Sequence, residues 1–231
     1  RKIITIEDPV EYQFAGITQI SVTSSTNEET HFADKLRAVL RLDPDIVMVG
    51  EIRDGDTAKT ALQAALTGHL VLSTFHAGSA AAALTRLIDI IGENPLFVSA
   101  IRLVMAQRLV RRLDEKTKIE YRPDAATLKR ITDVLDKLPK NLEKPDLSNL
   151  KLYKPGKSAD NPYGYSGQVA LREQFMMSGE IGQLLAKGKN APTQEIEEAA
   201  VRSGMRTMLQ DGILRVVAGE TTLDEIYRVI G

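Results

Sequence analysis

The chain has 231 residues, 30 of them basic and 31 acidic, for a formal net charge of −1. That balance argues against a general nucleic-acid or membrane-surface binder, and an aromatic content of 5% with no Trp argues against a base-stacking platform. The absence of Cys excludes disulfides and thiolate metal sites, and no apolar run approaches the roughly 18 residues of a membrane span.

In chain order, Lys2–Ile6 is a β-branched run that predicts a strand, and acids follow it at once: Glu7, Asp8 and, past Pro9, Glu11. Pro9 disfavours helix at Asp8 and removes a ladder donor, so the strand ends there. Ile17–Val22 reads as a short strand, with a Ser/Thr/Asn cluster behind it. Phe32, Leu36, Val39 and Leu40 recur at helical spacing and predict a helix over Thr30–Leu42, with Thr30 as its N-cap. His31 reads as a surface residue. Arg37 and Arg41, four apart, share one face of this helix.

Ile46–Val49 is an unbroken apolar run of the kind expected for a strand buried on both faces of a parallel sheet. It closes with Gly50 and Glu51. Asp54 then caps a helix with the stripe Ala58, Ala61, Leu62, Ala65 and Leu66, and Gly68 stops it. His69–Phe75 predicts a third strand with His76 at its carboxyl end. Strand–helix–strand–helix–strand with short connections is the pattern of a parallel sheet with right-handed crossovers. Helices are expected at Ala80–Ile91, at Pro95–Leu113, over Asp124–Leu138, and at about 179–187, 193–203, 205–218 and 222–230. The last opens on a capping-box pattern, Thr222 and Glu225. Residues 114–162 read as an insertion with a loosely ordered, Pro-rich second half, and 164–175 as strand-like.

In such a sheet the carboxyl ends of the strands lie side by side, where ligands of open α/β folds bind. Glu7, Asp8, Glu11 and Glu51 are therefore expected to converge with His76, and His69 is a weaker candidate. Carboxylates in a crevice suit Mg²⁺, which keeps several waters, and a general base acting on water; together they point to phosphoryl transfer from a nucleotide. Each residue singly has a simpler explanation, because a lone Glu at a strand end is usually solvated. An ATPase of this build needs a phosphate-binding loop, G-x-x-x-x-G-K-[ST]. The lone GK[ST], Gly156–Lys157–Ser158, has Lys151 where the first Gly belongs and sits in a Pro-rich loop. It is a decoy. The chain opens without Met inside a strand-like run, and it is expected to be a fragment whose phosphate loop lies upstream.

TIEDPVEY at Thr5–Tyr12 resembles the aspartate box of the type II secretion and type IV pilus assembly ATPases, the GspE/PilB-like group. LRAVLRLDPDIVMVGEIRD at Leu36–Asp54 resembles their Walker B region, and TGHLVLSTFHAGSA at Thr67–Ala80 their histidine box. AQRLVRRL at Ala106–Leu113, GYSGQVALRE at Gly164–Glu173 and the closing GETTLDEIYRVI are similar to later family segments. The resemblance implies a RecA-like parallel sheet flanked by helices over 1–113, an insertion over 114–162 in place of a four-cysteine zinc region, and a small, mainly helical C-terminal subdomain over 163–231.

It further implies ATP and Mg²⁺ as cofactors, with Glu51 acting near Mg²⁺, through water, as the Walker B glutamate. Glu11 corresponds to the general base, with Glu7 and Asp8 beside it. His69 and His76 correspond to a pair coupling the nucleotide site to a neighbouring subunit, and Arg37, Arg41 and Arg53 fall on family arginines. No zinc site is expected. The implied protein is a cytoplasmic homo-hexamer that meets an inner-membrane platform protein to drive pilus assembly or protein export, with no nucleic-acid partner and no membrane insertion of its own. The alternative is a non-catalytic RecA-like assembly module; a nucleic-acid translocase on the same fold is disfavoured by the charge.

Overall fold

The computed structural model describes residues 1–22, 31–92, 94–186 and 192–231. The chain divides into two compact units, Arg1–Val104 with Met176–Glu197, and Met105–Phe175 with Glu198–Gly231. Each unit is built from two separate stretches of the chain.

The first unit is built on four parallel strands in the order β2-β1-β3-β4: β1 (Ile3–Glu7), β2 (Thr18–Ser21), β3 (Ile46–Val49) and β4 (Leu70–Ser73). Ile4 pairs with Val47 and Ile6 with Val49. Those four side chains share one face, fully buried under Phe32, Leu36 and Val39 of α1 (His31–Leu40) and Ala61 of α2 (Gly55–Leu66). Asp54 caps α2 as expected, accepting from the Thr57 amide at 2.7 Å, and Gly68 follows its end at φ +103°. The expected Thr30 cap and the His31 side chain lie outside the described residues.

One expectation for β3 changes. Only one face is covered: Ile46 and Met48 are half-buried, and on β4 their register partners Leu70 and Leu72 are 51% and 50% exposed. A uniformly apolar strand does not reveal from its own composition whether both faces are covered.

A second correction concerns Pro95–Leu113. It is a short helix, α4 (Pro95–Ala100), followed by an eleven-residue strand, β5 (Leu103–Leu113). Apolar residues stand at nearly every position from Ile101 to Ala106, so periodicity cannot separate helix from strand, and length alone favoured helix. The strand is fixed by its distant partner β8 (Tyr165–Met176). Their termini meet in opposite order, Met177 N–H on Arg102 O at 3.0 Å and Asp114 N–H on Gly164 O at 3.1 Å, so the pair is antiparallel. The helix α3 (Ala80–Ile91) has the expected bounds, and α6 (Gly179–Leu185) closes this unit against α4. Residues 193–202 form α7, which crosses from the first unit into the second.

The second unit has its own core of Val110, Ile131, Leu135, Leu152, Leu171, Ile213 and Ile226. Three of these seven lie in the anticipated insertion, which is therefore ordered by ordinary burial. It contains β6 (Ile119–Tyr121), α5 (Ala125–Leu135) and β7 (Leu152–Lys154), and β6 pairs antiparallel with β7. Its Pro-rich second half is not loose: Leu142, Leu147 and Leu150 pack on the core, and Asn161 donates to Asp114 at 2.8 Å and to Tyr165 O at 3.0 Å. Gly156 is pressed against Thr117, where a Cβ would lie 1.8 Å from the Thr117 carbonyl oxygen, and no helix follows it. That glycine permits a close backbone approach; it does not open a phosphate loop.

At the carboxyl end stand α8 (Met208–Val217) and α9 (Leu223–Ile230). The full capping box is on α8, between Thr207 and Gln210, and not on α9. Thr222 does cap α9, but the Glu225 carboxylate turns away to Arg111 and Arg228.

Candidate active site at the carboxyl rim

Parallel register places the ends of β1, β3 and β4 together, and the residues beyond them line one cleft of about 390 Å³. Gly50 makes the approach possible. Its N–H donates to Ile6 O at 2.7 Å, and a Cβ there would stand 3.1 Å from that same oxygen. Thr74, one residue past β4, ties the third strand in by donating to Gly50 O at 2.5 Å.

Five expected site residues meet here: Glu7, Asp8, Glu11, Glu51 and His76 all line the cleft. Their circumstances differ. Glu51 is largely enclosed, with 17% of its side chain exposed. One of its oxygens accepts from Arg53, and the other lies 3.1 Å from His76 Nε2. The Arg53 guanidinium holds the Glu51 carboxyl below the usual carboxylate range, overcoming the opposing effect of burial, and His76 adds to the shift. Arg53 also reaches Asp8 at 3.7 Å, so it bridges two of the rim acids. Glu7 is held by neutral donors, the Thr5 hydroxyl and Gln19 Nε2 at 3.0 Å. Glu11 is exposed, and among the described residues it has no hydrogen bond or ion pair.

Of the remaining candidates, Arg53 stands at the rim through Glu51 and Asp8, whereas His69, Arg37 and Arg41 are not brought there. His69 precedes β4 and His76 lies three residues past it, so the four-residue strand, itself roughly 13 Å long, stands between them. Its Nδ1 lies 3.0 Å from Ala64 O, where it satisfies a carbonyl of the last turn of α2. Arg37 pairs with Asp34 on the exposed surface at 2.7 Å. Arg41, just past the end of α1, adjoins Leu42, whose carbonyl accepts from Lys2 ahead of β1, so it stands toward the amino end of the sheet.

Three supporting side chains went unnoticed in the sequence: Thr74, Gln19 and Arg86. Arg86 donates to His76 O at 2.8 Å and lies 5.6 Å from the centre of the Phe75 ring. Only Gln19 carried a local signal, as a polar residue within the short apolar run Ile17–Val22.

Chemically, the rim offers carboxylates and no cationic cradle. Among the described residues no Lys or Arg lines the cleft, and no group of three or more His, Asp or Glu could hold a metal directly. The donors fit a hydrated Mg²⁺ touched by one carboxylate, which is how Mg²⁺ is usually bound beside phosphates. They do not fit the phosphates themselves.

Residues 1–228 match the family described as Type II/IV secretion system protein. The chain is similar to Type II secretion system protein E of Xanthomonas campestris, 43% identical over 99% of this chain and 38% of that protein. It is also similar to the Type IV pilus assembly ATPase PilB of Thermus thermophilus, 45% identical over 96% of this chain and 24% of that one. The chain thus spans well under half the length of these curated relatives. Among solved structures, the pilus retraction motor PilT with bound ADP aligns with TM-score 0.63 at 26% identity, covering 98% of this chain and 52% of that one. The Legionella pneumophila ATPase DotB shares the fold at TM-score 0.62 and 23% identity, over 99% of this chain and 51% of that one.

Proposed function

Because the chain belongs to the Type II/IV secretion system protein family, we propose that it forms the water-activating rim of a motor ATPase. That motor is a cytoplasmic homo-hexamer that works against an inner-membrane platform protein to drive pilus assembly or protein secretion. The observation that carries the reading is the unequal state of two glutamates in one cleft. Glu51 is committed to Arg53 and His76 and held ionised, which suits an electrostatic role beside a hydrated Mg²⁺. Glu11 is free and open to water, as a group must be to take a proton from an attacking water.

In this scheme Glu51 would hold a hydrated Mg²⁺, which when bound would supply charge neutralisation at the nucleotide phosphates. Glu11 orients the attacking water and accepts its proton. Glu7 and Asp8 keep the rim negative, and Arg53 stops Glu51 and Asp8 from repelling each other. In this scheme the phosphate-binding loop belongs to a part of the motor other than this chain, whose one GK[ST] lies in an irregular loop after β7. By itself the chain should not turn over ATP. Assembly through the same fold without catalysis would then describe the isolated chain.

The test uses the intact motor. Glu11→Gln keeps shape but removes the base, so kcat should fall about 10²–10⁴-fold with nucleotide Kd nearly unchanged. Glu51→Gln should lose activity that rising Mg²⁺ partly restores, whereas the Glu11 variant should show no such rescue. Near-wild-type turnover for Glu11→Gln would remove Glu11 from the role and make Glu7 the next candidate.

A further inference from the structure

Among the described residues Glu11 has no hydrogen bond or ion pair, yet the backbone just past it is tied down by one side chain. Gln19, on β2 and in register with Thr5, is half-buried and uses three hydrogen bonds. Its Nε2 donates to Glu7 Oε1 at 3.0 Å and to Tyr12 O at 2.9 Å, and its Oε1 accepts from the Phe14 N–H at 2.8 Å. The amide has one workable orientation. Turned over, its oxygen would face a carboxylate and a carbonyl, and its NH₂ would face an N–H. One group therefore reads the end of β1 and the residues just past Glu11.

The connection from β1 to β2 contains Pro9 and Gly16, the latter at φ +82°, and within it, among the described residues, there is one backbone bond, Ile17 N–H to Phe14 O at 3.5 Å. Tyr12 and Phe14 are exposed, so little packing holds the loop. The position of residues 12–14 depends on Gln19.

We propose that Gln19 is a positioning residue for Glu11: by clamping the 12–14 backbone to Glu7, it fixes the free carboxylate over the cleft. The proposal rests on Glu11 being the base. A displacement of about 1 Å in a reacting group can cost on the order of 10²-fold in rate, so the clamp has catalytic weight without touching substrate.

The experiment is a double-mutant cycle in the intact motor between Gln19→Met, which keeps length and loses the amide, and Glu11→Gln. Gln19→Met should lower kcat about 10- to 100-fold and leave KM for ATP within about twofold. In the Glu11→Gln background it should cost nothing more, although any fall in melting temperature should persist. In this chain itself, Gln19→Met should speed amide hydrogen exchange at Phe14 while leaving Val49 unchanged, which also shows that the variant folds. If Glu11→Gln is inactive but Gln19→Met turns over normally, or the two losses multiply, the clamp is wrong and Glu11 keeps its role. If Glu11→Gln turns over normally, the base assignment fails and the clamp's purpose fails with it. Unchanged Phe14 exchange would overturn the clamp on either background.

Discussion

At the rim, identical side chains are made different by their neighbours. Glu7, Glu11 and Glu51 are the same residue type in one cleft, yet one is hydrogen-bonded, one is free and one is ion-paired. Arg53 contributes most to holding Glu51 ionised. Arg53→Met should therefore raise the Glu51 titration midpoint toward the ordinary carboxylate range, as followed by carboxyl-carbon NMR across pH. The sign follows from the cause: a lowered folded pKa means the Glu51 ion pairs persist until pH falls through that value. An unmoved midpoint would mean that His76 or the backbone holds Glu51. The convergence of Glu7, Asp8, Glu11, Glu51 and His76 was legible in the sequence, because each follows a β-branched run and parallel strands align their ends. The separation of His69 from His76 follows from the same rule, since a residue before a strand stands at the opposite edge. The pairing of Arg53 with Glu51 and Asp8 was not legible, since side-chain direction past a strand end has no period.

At the level of elements, α9 shows a motif diverted by its surroundings. Thr222 and Glu225 have capping-box spacing, but Glu225 is only 1% exposed and lies between Arg111 of β5 and Arg228 of its own helix. Burial opposes its ionisation, and the Arg228 and Arg111 guanidiniums more than offset this, bringing its pKa down to about 2. Against an unperturbed value near 4.5, that difference is worth on the order of 3 kcal/mol to the second unit. The contribution is present in full above about pH 4.5 and is lost as pH falls toward 2. Urea unfolding at several pH values should show this slope in the wild type and a much flatter one for Glu225→Gln. Equal slopes would place the acid sensitivity elsewhere. The helix expected over Pro95–Leu113 failed for a related reason: what made β5 a strand was β8, a partner remote in sequence. Short local patterns gave α2, α3 and β3 well, because each meets its neighbours through short crossovers.

Over the whole chain, the first unit's sheet has one finished face and one open one. Ile46 and Met48 are half-covered, and Leu70 and Leu72 of β4 are about half exposed, on a strand with no outer neighbour among the described residues. A flat apolar edge of this kind pairs readily with another chain. The chain in isolation should associate with rising concentration, as measured by sedimentation velocity, and Leu72→Lys should suppress this without lowering the melting temperature. A monodisperse wild type at high concentration would contradict the expectation.

The path of the chain between its two units has a consequence for how the protein is made. Residues 105–175 belong to the second unit, yet 176–197 return to the first, where Thr193 bonds Thr85 at 3.1 Å and α6 rests on α4. On the ribosome, the first unit therefore waits for its last helices until most of the second has been synthesised. The second in turn waits for 198–231, which bring Ile213 and Ile226 to its core. Neither can be finished before part of the other has been made. A protease nick anywhere in 105–175 would likewise leave each piece holding parts of both units, so the severed halves should separate only on denaturation.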